Sequence, residues 1–143
     1  SQSKTVLEKV CEVMASLSAC PELTKYIIEA DCIGNMVEIL RSTDSISVYR
    51  SAALFLKNTV VAEPTVCEEA ARGITTIVNA MKAHKKDPDL QREACNYLWC
   101  VAGEYKTELF FIVYVIAHIS HSIVPQLCPK TANPRSLPWT ASP

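Results

Sequence analysis

Three stretches of the chain repeat one pattern of apolar and polar positions. "SKTVLEKVCEVMASLSA" starts at Ser3, "SISVYRSAALFLKNTVV" at Ser45 and "DPDLQREACNYLWCVAG" at Asp87, each 42 residues beyond the one before. Val6, Val48 and Leu90 coincide, as do Val10, Ala52 and Ala94, then Val13, Phe55 and Tyr97, then Met14, Leu56 and Leu98. Steps of four, three and one residue gather these positions on one side of a helix. The pattern therefore predicts three amphipathic helices with that side turned to a core. Ser3, Ser45 and Asp87 are the predicted N-caps, because a side-chain oxygen there accepts from the open amides of the first turn. Pro88 fits the first helical position, where no amide is missed.

A second pair of segments lies between these helices. "CPELTKYIIEADCIGNMVEILRS" from Cys20 matches "AEPTVCEEAARGITTIVNAMKAH" from Ala62. Cys32, Ile33, Met36, Val37 and Leu40 correspond to Gly73, Ile74, Ile77, Val78 and Met81, 41 residues later. Pro21 and Pro64 are each predicted to open a short helix, and a bend near Cys32 or Gly73 to lead into a longer one. The unit is short helix, longer helix, long helix.

A period near 42 residues falls in the range of armadillo and HEAT repeats. The residues resemble armadillo repeats more closely: "EADCIGNMVEIL" looks like that family's second helix, and "VYRSAALFLKNTV" and "LQREACNYLWCVA" look like its third. The resemblance implies an all-α, right-handed α-solenoid of about two and a half armadillo-like repeats over residues 1–104, with an atypical tail over residues 105–143. It also implies a concave groove lined by the third helices, where an extended peptide or partner protein lies. The outward residues on those helices are Arg50, Leu54, Lys57 and Asn58, then Arg92, Asn96, Trp99 and Cys100, with Glu8, Glu12 and Ser16 in the first, partial repeat. Ladders Glu8–Arg50–Arg92 and Ser16–Asn58–Cys100 are expected from the 42-residue step. Asn58 matches the groove asparagine of the importin-α type, although Leu54 stands where that type has tryptophan. An asparagine offers one donor group and one acceptor, which suits a peptide backbone. Arg50 and Arg92 are placed to meet carboxylates, and Trp99 to pack an apolar side chain. The expected partner-binding set is Arg50, Leu54, Asn58, Arg92, Asn96 and Trp99.

Charge and composition narrow the classes. A net charge of -1 argues against nucleic acid, which demands a basic face. Three glycines are too few for a glycine-rich phosphate loop or an all-β domain. The seven cysteines contain no C-x-x-C pair and share no zinc spacing with the three histidines. They are expected to be reduced thiols, which places the chain in the cytoplasm or nucleus. Glu68 and Glu69 are expected on a helix surface, and no nucleophile–base set assembles. The expectation is a non-enzymatic scaffold with no cofactor, metal or small-molecule substrate.

The tail departs from the pattern. "LFFIVYVIAHISHSIV" spans residues 109–124, and five of the eight prolines follow it. Sixteen residues with two histidines and two serines fall short of a membrane span. Three readings compete: a membrane anchor despite that shortfall, a divergent terminal helix packed on the repeats, and truncation of a longer array by read-through or altered splicing. Both ends of the repeat region look incomplete. The alternative function is therefore a structural fragment or regulatory isoform of a longer armadillo protein, one that self-associates as a homo-oligomer through residues 105–143.

Overall fold

The computed structural model describes residues 2–104, and these residues are all-helical, without a strand. Three 17-residue helices, α1 (Gln2–Ser18), α4 (Ile46–Ala62) and α7 (Pro88–Glu104), alternate with shorter pieces. Between α1 and α4 come a 3₁₀ turn (Pro21–Leu23), α2 (Thr24–Glu29) and α3 (Cys32–Ser42). Between α4 and α7 come a 3₁₀ turn (Pro64–Val66), α5 (Cys67–Ala70), a second 3₁₀ turn (Ala71–Gly73) and α6 (Ile74–Ala83). The tail, residues 105–143, lies outside the described residues.

Local chemistry sets most of these boundaries. Ser45 accepts from the Val48 amide at 3.4 Å, and Asp87 accepts from the Leu90 amide at 2.8 Å, so both cap their helices as expected. Pro88 opens α7, and Pro21 and Pro64 open the 3₁₀ turns. Ser3 is a correction: α1 already begins at Gln2, so Ser3 lies inside the helix rather than at its cap. The bend into α3 is made by Asp31, whose φ of 54° puts it in the left-handed region that aspartate tolerates. At the matching bend Gly73 keeps a negative φ of -87°. Its lack of a side chain serves packing instead, because a Cβ there would stand 2.8 Å from Leu40 Cδ2.

The long helices lie side by side, with α4 between α1 and α7, while α3 packs under α4 and α6 under α7. The inner face of α4 is sealed by Val48, Ala52, Phe55 and Leu56, and that of α7 by Leu90, Ala94, Tyr97 and Leu98. Ile33, Met36, Val37 and Leu40 of α3 and Ile74, Ile77 and Met81 of α6 are buried as their spacing predicts. Fully burying aliphatic side chains of this size contributes roughly 1.5–3 kcal/mol each, which is the main force holding these layers together.

Buried polar groups are paired with few exceptions. The Tyr97 hydroxyl donates to the Ala70 carbonyl, tying α7 to α5, and burial pushes that phenol's pKa well above its ordinary value. Tyr49 and Gln91 occupy matching positions and do matching jobs. Tyr49 donates to the Thr43 carbonyl at 2.8 Å, and Gln91 to the Met81 and His84 carbonyls at 3.0 Å each. Each thereby fixes the loop that leads into its helix. Thr24 Oγ1 is the buried side-chain oxygen without a partner among the described residues.

The expectation that all three long helices bury the same side fails for α1. Val6, Val10 and Val13 are 61%, 47% and 57% exposed, whereas their counterparts in α4 and α7 are fully buried. The reason is packing order. α3 and α6 cover the matching faces of α4 and α7, and no described element lies under α1.

Candidate functional site

The outward strips of the three long helices form one continuous face. On α4 the strip is Arg50, Leu54, Lys57 and Asn58, all half-buried because α1 and α7 flank that helix. On α7 it is Asp89, Arg92, Asn96, Trp99 and Cys100, of which Arg92 and Trp99 are exposed and the others half-buried. On α1 it is Glu8, Glu12 and Ser16. The six expected binding residues therefore share a face, with Leu54 at its floor against the core. Trp99 is 36% exposed, at the edge between surface and core.

The ladders do not pair as expected. Asn58 Nδ2 donates to Ser18 Oγ at 3.1 Å, while Ser16 donates to the Glu12 carbonyl of its own helix. Glu8 accepts from the Ser45 hydroxyl at 2.5 Å and so bridges α1 to the start of α4 instead of meeting Arg50. Arg50 reaches Asp89 Oδ2 at 3.4 Å, and Arg92 reaches Asp89 Oδ1 at 2.8 Å. Arg92 also lies 3.6 Å from Glu93. Residues 42 apart are equivalent, so their side chains point the same way. The side chains that face each other come from opposite flanks of neighbouring helices, and their separations are 37 to 40 residues.

Asp89 is the residue of this face that the sequence did not single out. One carboxylate joins the two arginines expected to read acidic groups, and it sits in the first turn of α7, where negative charge also suits the helix dipole. Its signal was present: Asp89 lies 39 residues after Arg50 and three before Arg92.

The polar capacity left over is specific. Ser18 donates to the Ala15 carbonyl at 2.6 Å and accepts from Asn58, so the Asn58 amide is held in one orientation. Its carbonyl oxygen and second N–H have no hydrogen-bond partner among the described residues, and the Asn96 amide is likewise unengaged there. Lys57 lies close enough to Cys100 to act on its thiol electrostatically.

Cys11 and Cys67 are buried, and Cys95 and Cys100 are half-buried. Burial pushes Cys67 and Cys95 up to about 11 and raises Cys11 and Cys100 as well. Among the described residues no group of three or more His, Cys, Asp or Glu side chains is placed to hold a metal ion. Likewise, no described helix is long and apolar enough to cross a membrane. The membrane question raised by residues 109–124 lies outside the described residues.

Comparison with family models, curated proteins and solved structures finds no match. The function is therefore argued from the face itself.

Proposed function

We propose that this chain is an armadillo-like solenoid segment that binds an extended peptide, or an extended stretch of a partner protein, across the outward face of α1, α4 and α7. It acts by binding and performs no chemistry of its own. The observation that carries this reading is the half-buried Asn58 amide, held by Ser18 with its remaining donor and acceptor unengaged among the described residues. A fixed amide offers a peptide backbone two hydrogen bonds at little cost in side-chain entropy. Asn96 supplies a second amide one helix away, and Leu54 and Trp99 provide apolar contact.

The charge pattern refines the partner. Arg50 and Arg92 share one carboxylate, so an acidic ligand group competes with Asp89 for them. All three are more than a third exposed, where an ion pair contributes about 1 kcal/mol or less. Exchange for a ligand carboxylate is therefore inexpensive. The partner is a protein segment with a free backbone and an acidic residue near Arg50 and Arg92.

The test is selection of extended peptides on the 143-residue chain, followed by binding to Asn58→Ala. Loss of the asparagine weakens the selected peptide by the value of one or two buried hydrogen bonds, about 1–3 kcal/mol. Equal binding by Asn58→Ala removes the proposal.

A further inference from the structure

The segment joining α6 to α7 carries Lys82, Lys85 and Lys86, all exposed, and none of the three forms an ion pair among the described residues. Several other cations do meet carboxylates: Lys4 pairs with Asp44, Lys9 with Glu12, and Arg41 and Arg72 with Glu38. The carboxylates next in sequence to the three lysines are engaged elsewhere. Asp87 accepts from the Leu90 amide at 2.8 Å, and Asp89 holds Arg50 and Arg92. The repeat does not require these lysines. The matching loop before α4 has Thr43 and Asp44 where this one has Lys85 and Lys86.

The loop is fixed beside the two arginines of the outward face. Gln91, the neighbour of Arg92, donates to the Met81 and His84 carbonyls at 3.0 Å each. The His84 ring lies against Tyr49, the neighbour of Arg50, with ring centroids 6.3 Å apart. The Asp87 amide donates to the His84 carbonyl at 3.1 Å and closes the turn. Lys85 and Lys86 are therefore presented at the end of the face where Arg50 and Arg92 stand. Lys82, Lys85, Lys86, Arg50 and Arg92 have Asp87, Asp89 and Glu93 among them, five cations against three carboxylates, on a chain of net charge -1.

We infer that this edge binds an acidic run of the partner, several carboxylates in succession, where the bound segment leaves the outward face over the α6–α7 loop. The inference rests on the peptide-binding reading for where the rest of the segment lies, and it extends one acidic residue to a cluster. A single ligand carboxylate must displace Asp89 from Arg50 and Arg92. The three lysines have no internal pair to give up, so each further acidic side chain adds attraction without breaking one. An ammonium on a flexible stem acts as a point charge, which suits a run of carboxylates better than one group in a fixed geometry. The edge fits a protein segment better than a nucleic acid. A duplex carries one charge per about 1.7 Å and calls for a broad basic face, whereas Glu8 and Glu12 stand on the same outward face as the arginines.

The experiment titrates labelled decaglutamate into the full 143-residue chain at low salt, read by fluorescence anisotropy. Wild type is expected to bind it, and Lys82→Gln/Lys85→Gln/Lys86→Gln to bind roughly tenfold more weakly, the loss expected of three exposed ion pairs. The difference should vanish near 1 M salt, where the screening length falls to about 3 Å. All three positions are exposed, so the helical circular dichroism should stay unchanged. Lys82→Arg/Lys85→Arg/Lys86→Arg should bind as wild type does, because the edge reads charge. A DNA duplex and vesicles of phosphatidylserine, titrated alongside, should bind more weakly than decaglutamate. No binding of decaglutamate, equal binding by the glutamine variant, an arginine variant as weak as the glutamine one, or tighter binding of the duplex or the vesicles would each overturn the inference. Asn58→Ala with its selected peptide reads the outward face separately, so failure of the edge and failure of the face give different results.

Discussion

Asn58 Nδ2 donates to Ser18 Oγ at 3.1 Å, joining α4 to α1 across 40 residues of sequence. Ser18 is buried and spends its own proton on Ala15, so the pair is a relay with its open end at Asn58. Breaking it should cost stability as well as ligand affinity. In a double-mutant cycle of Ser18→Ala and Asn58→Ala, read by urea unfolding, a coupling of about 0.5–1.5 kcal/mol is expected. Strict additivity would mean the two side chains do not hold each other.

Two glycines should respond to alanine with opposite signs. A Cβ at Gly73 would meet Leu40 Cδ2 at 2.8 Å, Tyr97 Oη at 3.4 Å and Leu56 Cδ1 at 3.5 Å. All three neighbours are buried, so none gives way freely. Overpacking costs about 1–3 kcal/mol and outweighs an entropic gain of under about 1 kcal/mol. At Gly103 in α7 no described residue lies within 4 Å of an added Cβ, and alanine should stabilise the helix by up to about 1 kcal/mol. Urea midpoints should fall for Gly73→Ala and rise for Gly103→Ala.

Asp89→Asn should free Arg50 and leave Arg92 only its longer contact with Glu93, with the fold almost unchanged. The loss in stability is expected to stay near 1 kcal/mol or below, because the pairs are exposed and the helix dipole term is small. Affinity for an acidic peptide should rise several-fold, and more at low salt than at high salt, as fluorescence anisotropy would read directly. Unchanged affinity at low salt would mean the arginines do not face the ligand.

Cys20 offers a test of local electrostatics. Its thiol donates to the Glu22 carboxylate at 2.9 Å, and that bond is the main cause holding its pKa above the ordinary value. The thiolate is the reactive form, so removing the acceptor must increase its population at a fixed pH near 8. Glu22→Ala should therefore speed alkylation of Cys20 several-fold, followed by peptide mass analysis. Both groups are exposed, and no change in overall stability is expected from this bond.

Much of the helical layout was legible because it follows from short-range chemistry. The 42-residue step placed α4 and α7, Ser45 and Asp87 announced their caps, and the apolar spacing of α3 and α6 announced their buried faces. What was not legible depends on neighbours that a repeat comparison does not see. Aligning equivalent residues suggested Glu8 beside Arg50 and Ser16 beside Asn58. Facing residues come from opposite flanks, which hands those partners to Ser45, Asp89 and Ser18. The same alignment predicted burial for Val6, Val10 and Val13, because equivalence in sequence does not guarantee a covering helix. Ser3 looked like a cap for the same reason, yet α1 starts before it.

The most direct test of peptide binding is a titration. A labelled extended peptide selected on the 143-residue chain would be measured by anisotropy against wild type, Asn58→Ala and Val10→Lys/Val13→Lys. Binding through the outward face predicts that Asn58→Ala weakens the complex by about 1–3 kcal/mol, roughly five- to 150-fold. The α1 variant should bind as wild type does. Wild-type affinity for Asn58→Ala, or loss of binding in the α1 variant alone, would contradict the account.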